Sequence, residues 1–259
     1  SLPLILFNFF NFDTKLILRI SGFPKLNYFR KKLWSMSNKS LYKITCPTLE
    51  LLEKLKKKNI FIQEKLFYLQ DAIIDVKDFR FKLHDKNFLT QIDLKKKFLL
   101  SVGRLSKQKN FSYLINEFAG FSKNFKELNL VIIGDGEEKT KLQKLIKQKK
   151  LENKVFLVGQ TDNVYKYMQS AKLFILPSLW EEVGFVIVEA ALSNLFVISS
   201  DCPNGPSEFL NNGKSGILFK SNISGELEKS LDFYFKNQKE LDVKRIQIKK
   251  NSINYTRFR

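Results

Sequence analysis

The sequence predicts an α/β fold built on a Rossmann-like parallel sheet, with a smaller and less regular part before it. Two observations lead to this prediction: from Lys97 onward short apolar runs alternate with longer amphipathic stretches, and 44% of the 259 residues are hydrophobic. Alternation of strand and helix is typical of a parallel sheet covered by helices on both faces. The length exceeds that of a usual single domain, so we expect two packed units.

The main part of the chain contains six predicted strands. They are KFLLSVG, LNLVIIG, KVFLVG, KLFILP, LFVISS and GILF, and helix-compatible segments lie near residues 111–123, 137–150, 163–170, 184–193, 206–211 and 223–236. Ligands of such sheets bind beyond the carboxyl ends of the strands. We therefore expect the functional site in the loops that follow the apolar runs.

The amino-terminal part is less regular. KLILRIS (residues 15–21) and LYKITCP predict strands, whereas residues 25–39 and the segment TLELLEKLKKK predict helices. The first ten residues, SLPLILFNFF, form an apolar run that we expect to be strand-like, and it is too short to span a bilayer. No basic region precedes this run, so we do not expect a signal peptide.

These patterns divide the chain into three regions. Residues 1–92 are assigned to a partial amino-terminal domain that ends in a charged connector at 76–96, residues 93–240 to the main domain, and residues 241–259 to a carboxyl-terminal segment. The start at Ser1 and the abrupt end NYTRFR are those expected of a fragment, with the last segment cut short.

The chain is strongly basic. Its 45 Lys and Arg against 26 Asp and Glu give a net charge of +19, which fits nucleic acid, an anionic membrane or a phosphorylated substrate. Solvated helix faces or a general lysine bias of the genome account for it equally well. Nucleic acid ranks last because no arginine-rich arm, zinc-finger spacing or RNA-binding aromatic pattern accompanies the charge.

Cysteine and histidine are scarce. Cys46 and Cys202 lie far apart in the sequence and predict no disulfide framework, which suits a reducing cytosol. The single histidine, His84, cannot build a histidine-rich metal site and is expected on the surface.

The first loop of the main domain carries three cations. Val102 to Asn110 reads VGRLSKQKN, and Arg104 with Lys109 offers a planar fork and a point charge, two complementary ways to hold a diphosphate. An ordinary basic loop explains the same residues equally well.

The second loop, Gly134-Asp135-Gly136, follows a predicted strand and precedes a helix. Lys139 replaces the third glycine of the GxGxxG dinucleotide pattern. A tight strand-to-helix turn is therefore favoured over a phosphate cradle.

The loop after KLFILP gives the sharpest signal. Glu181 follows the strand, Gly184 opens the next helix, and Glu189 lies in that apolar helix. A buried carboxylate needs hydrogen-bond donors, and a ribose diol is one source of them. Gly184 would let a phosphate approach the free helix amides. A helix-start carboxylate at 181 and a structural Glu189 with a protein partner are the alternatives.

These loops, taken in order, resemble the carboxyl-terminal domain of glycosyltransferase family 4, the retaining transferases of the GT-B fold. The resemblance rests on GRLSKQKN, VIIGDGEEKTKL, FLVGQ, AKLFILPSLWEEVGFVIVEAAL, VISSDCPNGPSEFL and NGKSGILF, over roughly Phe98 to Asp232. Residues 15–80 more faintly resemble part of the family's amino-terminal, acceptor-binding domain. The resemblance implies that 93–240 is the nucleotide-sugar donor domain.

The resemblance also implies roles for individual residues. Arg104 and Lys109 would bind the donor diphosphate and stabilise its developing charge, Glu181 would lie near the transferred sugar and act in catalysis, and Glu189 would hold the ribose. The donor-binding set is completed by amides and backbone around the strand ends, at Gly103, Gly134, Val158, Gly159, Gly184, Phe185 and Val186. Glu182 and Val183 depart from the family pattern of Gly and then an aromatic residue or Pro.

The expected function is transfer of a sugar from a nucleoside diphosphate sugar to a glycan or lipid-linked glycan, with retention, in cell-surface polysaccharide or lipopolysaccharide synthesis. No bound cofactor or metal is expected, and the sequence contains no Asp-x-Asp pair. We expect a cytoplasmic enzyme, in possible contact with an anionic membrane. The alternatives are an incomplete or non-catalytic nucleotide-sugar-binding module and a nucleotide-sugar epimerase.

Overall fold

The computed structural model describes residues 2–10, 12–85 and 92–257, and the chain divides into two compact units between Asp71 and Ala72. The first unit has a three-stranded parallel sheet in the order β1-β2-β3. Its strands are β1 Leu16–Arg19, β2 Leu41–Cys46 and β3 Leu66–Tyr68, and its helices are α1 Leu2–Phe9, α2 Tyr28–Met36 and α3 Leu49–Lys58. A 3-10 turn covers Gln63–Lys65.

Helix α3 of this unit has clear start and stop signals. The side chain of Thr48 accepts a hydrogen bond from the amide of Leu51 at the start of α3, and Asn59 ends the helix in the left-handed conformation at φ 48°. Such caps satisfy backbone groups that the helix leaves free. Leu51, Leu52 and Leu55 form the buried stripe of α3 that the sequence pattern predicts.

The strand-like prediction for the first ten residues is wrong, because α1 is a helix. A short apolar run has no periodicity that separates strand from helix. Leucine favours helix, and Pro3 lies in the first turn, where its missing amide costs nothing. Leu4 anchors α1 in the core of the first unit.

The second unit contains a six-stranded parallel sheet in the order β10-β9-β8-β5-β6-β7. The six predicted strands are all present, as β5 Phe98–Val102, β6 Asn129–Ile133, β7 Val155–Gly159, β8 Leu173–Leu176, β9 Val197–Ser200 and β10 Ile217–Phe219. This is the doubly wound Rossmann order. A separate two-stranded pair joins β4 Ile74–Asp75 to β11 Thr256–Arg257.

Helices cover both faces of the large sheet. They are α4 Val76–Leu83, α5 Phe111–Phe121, α6 Lys139–Gln148, α7 Val164–Ser170, α8 Phe185–Leu192, α9 Pro206–Phe209, α10 Glu226–Lys236 and α11 Gln238–Ile253, with a 3-10 turn at Lys107–Lys109. Alternate strand residues enter two cores: Leu99 packs with α5 and α10, and Leu100 packs with α7 and α8. The predicted α/β class with a Rossmann-like sheet is confirmed.

The unit boundaries differ from the regions assigned on sequence. Residues 72–85, which include the first part of the charged connector, contribute β4 and α4 to the second unit, because Ile74 and Phe79 are buried in its core. The division at 240 falls inside α11, whose Leu241 and Ile248 are also buried there.

Both cysteines are buried free thiols. Burial raises the pKa of each to about 11, so neither is a thiolate at neutral pH. His84 is exposed at the end of α4. No helix among the described residues is both long and apolar enough to cross a bilayer.

Candidate active site at the switch point of the sheet

The chain reverses its direction across the sheet between the adjacent strands β5 and β8. Connections from these two strands leave toward opposite sides, which opens a crevice at their carboxyl ends. The loops that follow them are joined there by two hydrogen bonds of 2.8 Å: the Leu179 amide donates to the carbonyl of Gln108, and Gln108 Nε2 donates to the carbonyl of Trp180.

The two loops bring Lys109 and Glu181 together, although 72 positions separate them in sequence. Lys109 Nζ lies 2.6 Å from Glu181 Oε1, and only 16% and 7% of the two side chains are exposed. Ser178 Oγ donates to the same Oε1 at 2.5 Å. One carboxylate oxygen is therefore held by two donors, one of them charged, which fixes the orientation of Glu181.

Serines on and after the neighbouring strands support this arrangement. Ser200 Oγ donates to the carbonyl of Ser178 at 2.6 Å, and Ser221 Oγ donates to it at 3.2 Å. The amide of Ser221 donates to Asp201 Oδ1 at 2.8 Å. The ends of β8, β9 and β10 are thus tied into one polar network beneath Glu181.

Three glycines let the ends of β5, β6 and β7 come close. A Cβ on Gly134 would lie 1.9 Å from the carbonyl oxygen of Gly103, and a Cβ on Gly103 would lie 3.0 Å from Cε of Lys109. The Gly134 amide donates to the carbonyl of Gly159 at 2.8 Å. Gly103 thus leaves room for the Lys109 side chain to reach Glu181, and Gly134 is required by backbone packing.

Helix α8 begins at the crevice. Gly184 precedes it at φ 76°, a left-handed conformation that favours glycine. Within the described chain the amides of Gly184, Phe185 and Val186 have no hydrogen-bond acceptor. Free amides at a helix start carry partial positive charge and bind anions.

Two charged residues of the same loops, Arg104 and Glu182, are exposed. Neither forms an ion pair with any described residue. Arg104 is therefore a cation that remains available in the loop after β5. Glu182 adds a negative charge immediately after Glu181.

Glu189 is half-buried in the second turn of α8. Burial raises the pKa of its carboxyl to about 7, against the opposing effects of a hydrogen bond with the Tyr165 side chain and the charge of Lys82. Burial also raises the pKa of Tyr165, and the charge of Glu189 adds to this effect. Tyr165 thus lies near Glu189, and Glu189 keeps part of its surface accessible.

The remaining predicted residues lie at the end of β7. Val158 and Gly159 are partly exposed there. Gly159 adopts φ 83°, and a Cβ at this position would meet no atom within 4 Å. An open, partly apolar strand end of this kind can pack against a flat ring.

Residues 85–253 of the chain match the family described as glycosyl transferases group 1. The chain belongs to this family. A relative from Campylobacter jejuni, N-acetylgalactosamine-N,N'-diacetylbacillosaminyl-diphospho-undecaprenol 4-alpha-N-acetylgalactosaminyltransferase, is 31% identical over 211 residues, 81% of this chain and 57% of the relative. The chain thus spans little more than half of that protein.

Solved structures show the same fold. TarM superposes with a TM-score of 0.77 at 21% identity, over 97% of this chain and 49% of TarM. The Anabaena protein Alr3699/HepE, in a complex with UDP, superposes with a TM-score of 0.76 at 17% identity, over 93% of this chain and 68% of that protein. These likenesses confirm the predicted fold class, an α/β fold with a Rossmann-like parallel sheet.

The sequence patterns of this family member did not single out three residues that the structure places at the site. Ser178 holds Glu181, Gln108 joins the two loops, and Tyr165 contacts Glu189. Ser178 had a usable signal, because it is a small polar residue at the end of a buried strand. Among the described residues no group of three His, Cys, Asp or Glu is placed to hold a metal ion.

Proposed function

We propose that the chain is the donor-binding part of a retaining, family 4 glycosyltransferase that moves a sugar from a nucleoside diphosphate sugar to an acceptor hydroxyl. The observation that carries the proposal is the buried Lys109–Glu181 pair at the switch point, in the family whose members are glycosyl transferases. The α8 amides without acceptors begin three residues after Glu181.

The donor diphosphate would bind the cations of the loop after β5 and the start of α8. Lys109 has three N–H donors, and Glu181 occupies one of them, so two remain for phosphate oxygens. Arg104 supplies a planar fork. Negative charge grows on the diphosphate as it leaves, so these fixed donors stabilise the transition state more than the ground state. Transfer in this scheme requires no metal ion.

The two glutamates would have separate tasks. Glu181, fixed through Oε1 by Lys109 and Ser178, would place its other oxygen toward the transferred sugar. Glu189 would accept hydrogen bonds from the ribose hydroxyls, with Tyr165 orienting it. The base would lie against Val158 and Gly159.

The acceptor would be a glycan or lipid-linked glycan at the inner face of the cytoplasmic membrane, in cell-surface polysaccharide or lipopolysaccharide synthesis. Support comes from the name of the Campylobacter jejuni relative, which includes a diphospho-undecaprenol-linked acceptor. The basic composition suits contact with anionic lipid.

A binding module without transferase activity is the second candidate, and the exposed Glu182 beside Glu181 favours it. A thermal-shift screen with UDP-, GDP- and ADP-sugars would identify the donor. Incubation of that donor with lipid-linked acceptors, followed by NMR of the anomeric proton, then separates the candidates. A product that retains the donor's anomeric configuration supports the proposal, and an inverted product contradicts it. A donor converted without any acceptor would indicate an epimerase.

A further inference from the structure

The loop between β8 and α8 is held in place on both sides of Glu182. The amide of Glu181 donates a hydrogen bond to the carbonyl of Pro203 at 3.2 Å. Val183 is buried in the core, and a Cβ on Gly205 would lie 2.3 Å from its carbonyl oxygen. Glu182 is therefore an exposed residue between two buried ones, on a backbone that its neighbours fix.

Backbone geometry keeps Glu182 close to both binding groups of the crevice. Consecutive Cα atoms are about 3.8 Å apart, so the Cα of Glu182 lies about 3.8 Å from that of Glu181 and no more than about 7.6 Å from that of Gly184. In the proposed function the sugar lies near Glu181, and the phosphates bind the amides from Gly184 to Val186. A sugar that joins these two positions passes Glu182, whose exposed side chain is within reach of it.

The charges along the crevice differ in sign from one end to the other. Lys109 Nζ lies 2.6 Å from Glu181 Oε1, so the charges of these two residues offset each other. Glu182 has no such cation, because it forms no ion pair with any described residue. Arg104 and the free amides of α8 supply positive charge for the phosphates. The sugar end of the crevice is therefore negative, and the phosphate end is positive.

We propose that Glu182 is a specificity-determining residue that selects donors with an uncharged sugar and rejects hexuronates. Without a carboxylate at this position, the cations that hold the diphosphate would also attract an acidic sugar. A like charge beside the sugar discriminates against that competitor without any added contact to the preferred donor. This role of Glu182 depends on the proposed donor-binding function. Selection is a property of binding, so it applies to a transferase and to a binding module alike.

The experiment is a calorimetric titration with pairs of nucleotide sugars that differ only in the carboxylate. The pairs are UDP-glucose with UDP-glucuronate, GDP-mannose with GDP-mannuronate, and ADP-glucose with ADP-glucuronate. The wild type is compared with Glu182→Gln, Glu182→Lys and a control, Glu152→Gln. Glu152 is exposed before the start of β7, at the opposite edge of the sheet from the crevice. Thermal melting verifies that each variant folds.

The quantity compared is the Kd of the hexuronate divided by the Kd of the hexose. In the wild type this ratio should be about 10, the repulsion of two unit charges about 6 Å apart at a dielectric constant of about 40, between the values for water and for a protein surface. It should fall to within about threefold of 1 in Glu182→Gln and below 1 in Glu182→Lys, where a cation replaces the carboxylate. Glu152→Gln should keep the wild-type ratio, and added salt should lower that ratio.

Three results would overturn the role of Glu182. They are equal affinity of the wild type for the two members of a pair, the same ratio in the wild type and both Glu182 variants, and an equal change of the ratio in Glu152→Gln. Absence of binding by every nucleotide sugar would contradict the donor site itself, on which this role depends. Binding without discrimination therefore counts against Glu182 alone.

Discussion

The Lys109–Glu181 pair predicts a measurable coupling energy. Lys109→Ala would leave the Glu181 carboxylate, only 7% exposed, with Ser178 as its one side-chain donor. Removing one partner of a buried ion pair costs about 3–5 kcal/mol. The retained Ser178 hydrogen bond offsets part of this, so we expect a loss of about 2–3 kcal/mol in the free energy of unfolding. Glu181→Gln should also destabilise, because it leaves the lysine unpaired.

The double variant Lys109→Ala with Glu181→Gln should lose less than the sum of the two single variants. Because the pair is in direct contact, we expect the difference to be about 2 kcal/mol. Urea unfolding followed by tryptophan fluorescence measures it. The chain has two tryptophans, so a Trp34→Phe background makes Trp180, next to Glu181, the single probe of the second unit.

A matched control comes from Lys139 and Asp135. Their charged atoms are also close, at 2.7 Å, but the side chains are 41% and 43% exposed. Lys139→Ala should therefore cost less than about 1 kcal/mol. The reasoning would be refuted if the two single losses at Lys109 and Glu181 added to within about 0.5 kcal/mol, or if Lys139→Ala cost as much as Lys109→Ala.

Two further predictions concern Gly134 and Glu189. Gly134→Ala should abolish the folded second unit or lower its stability by more than about 3 kcal/mol, because the new Cβ would meet the Gly103 carbonyl oxygen at 1.9 Å. The control in thermal melting is Gly213→Ala, which also places a side chain at positive φ, 85°, but has open space around its Cβ. A Gly134→Ala chain that melts like the Gly213→Ala chain would contradict this. The carboxyl of Glu189 has a pKa of about 7 in the folded chain, against an ordinary value of 4.5. Between these two pH values the folded chain keeps a proton that the unfolded chain releases. The free energy of unfolding should therefore fall by up to about 3 kcal/mol as the pH rises from 4.5 to 7. Glu189→Gln should remove this part of the fall, measured by urea unfolding at pH 5 and pH 8. Equal changes in both proteins would count against a raised pKa of Glu189.

The fold of the second unit could be predicted from sequence because each strand is a distinct apolar run with a polar loop after it. The same reasoning failed at α1, where Asn8 is the only polar residue of Leu2–Phe9 and the pattern carries no period. The unit boundary was misplaced for a different reason. The charged residues around Phe79 are typical of a linker between domains. Phe79 is buried against residues that are distant in sequence, so the local sequence pattern does not indicate its burial.

The site was predictable to the level of its loops. The sequence placed Lys109 and Glu181 at the same edge of a parallel sheet, because both follow strand ends. Their direct contact, and the three hydrogen bonds that Ser178 makes through its hydroxyl and carbonyl, depend on which strands are neighbours. Strand order is a property of the folded sheet, so no local pattern could supply it.

A calorimetric titration with UDP, GDP and ADP tests the central claim, that the switch-point crevice binds a nucleoside diphosphate. Arg104 is the sharpest variant, because it is exposed and forms no ion pair among the described residues, so Arg104→Ala should leave the fold intact. The account predicts that at least one nucleotide binds and that Arg104→Ala weakens it about 10- to 100-fold, the effect of one hydrogen bond to a charged group. Lys107→Ala, exposed in the same loop, should change the affinity less than threefold. Binding that is unchanged in Arg104→Ala, or absent for all three nucleotides, would contradict it.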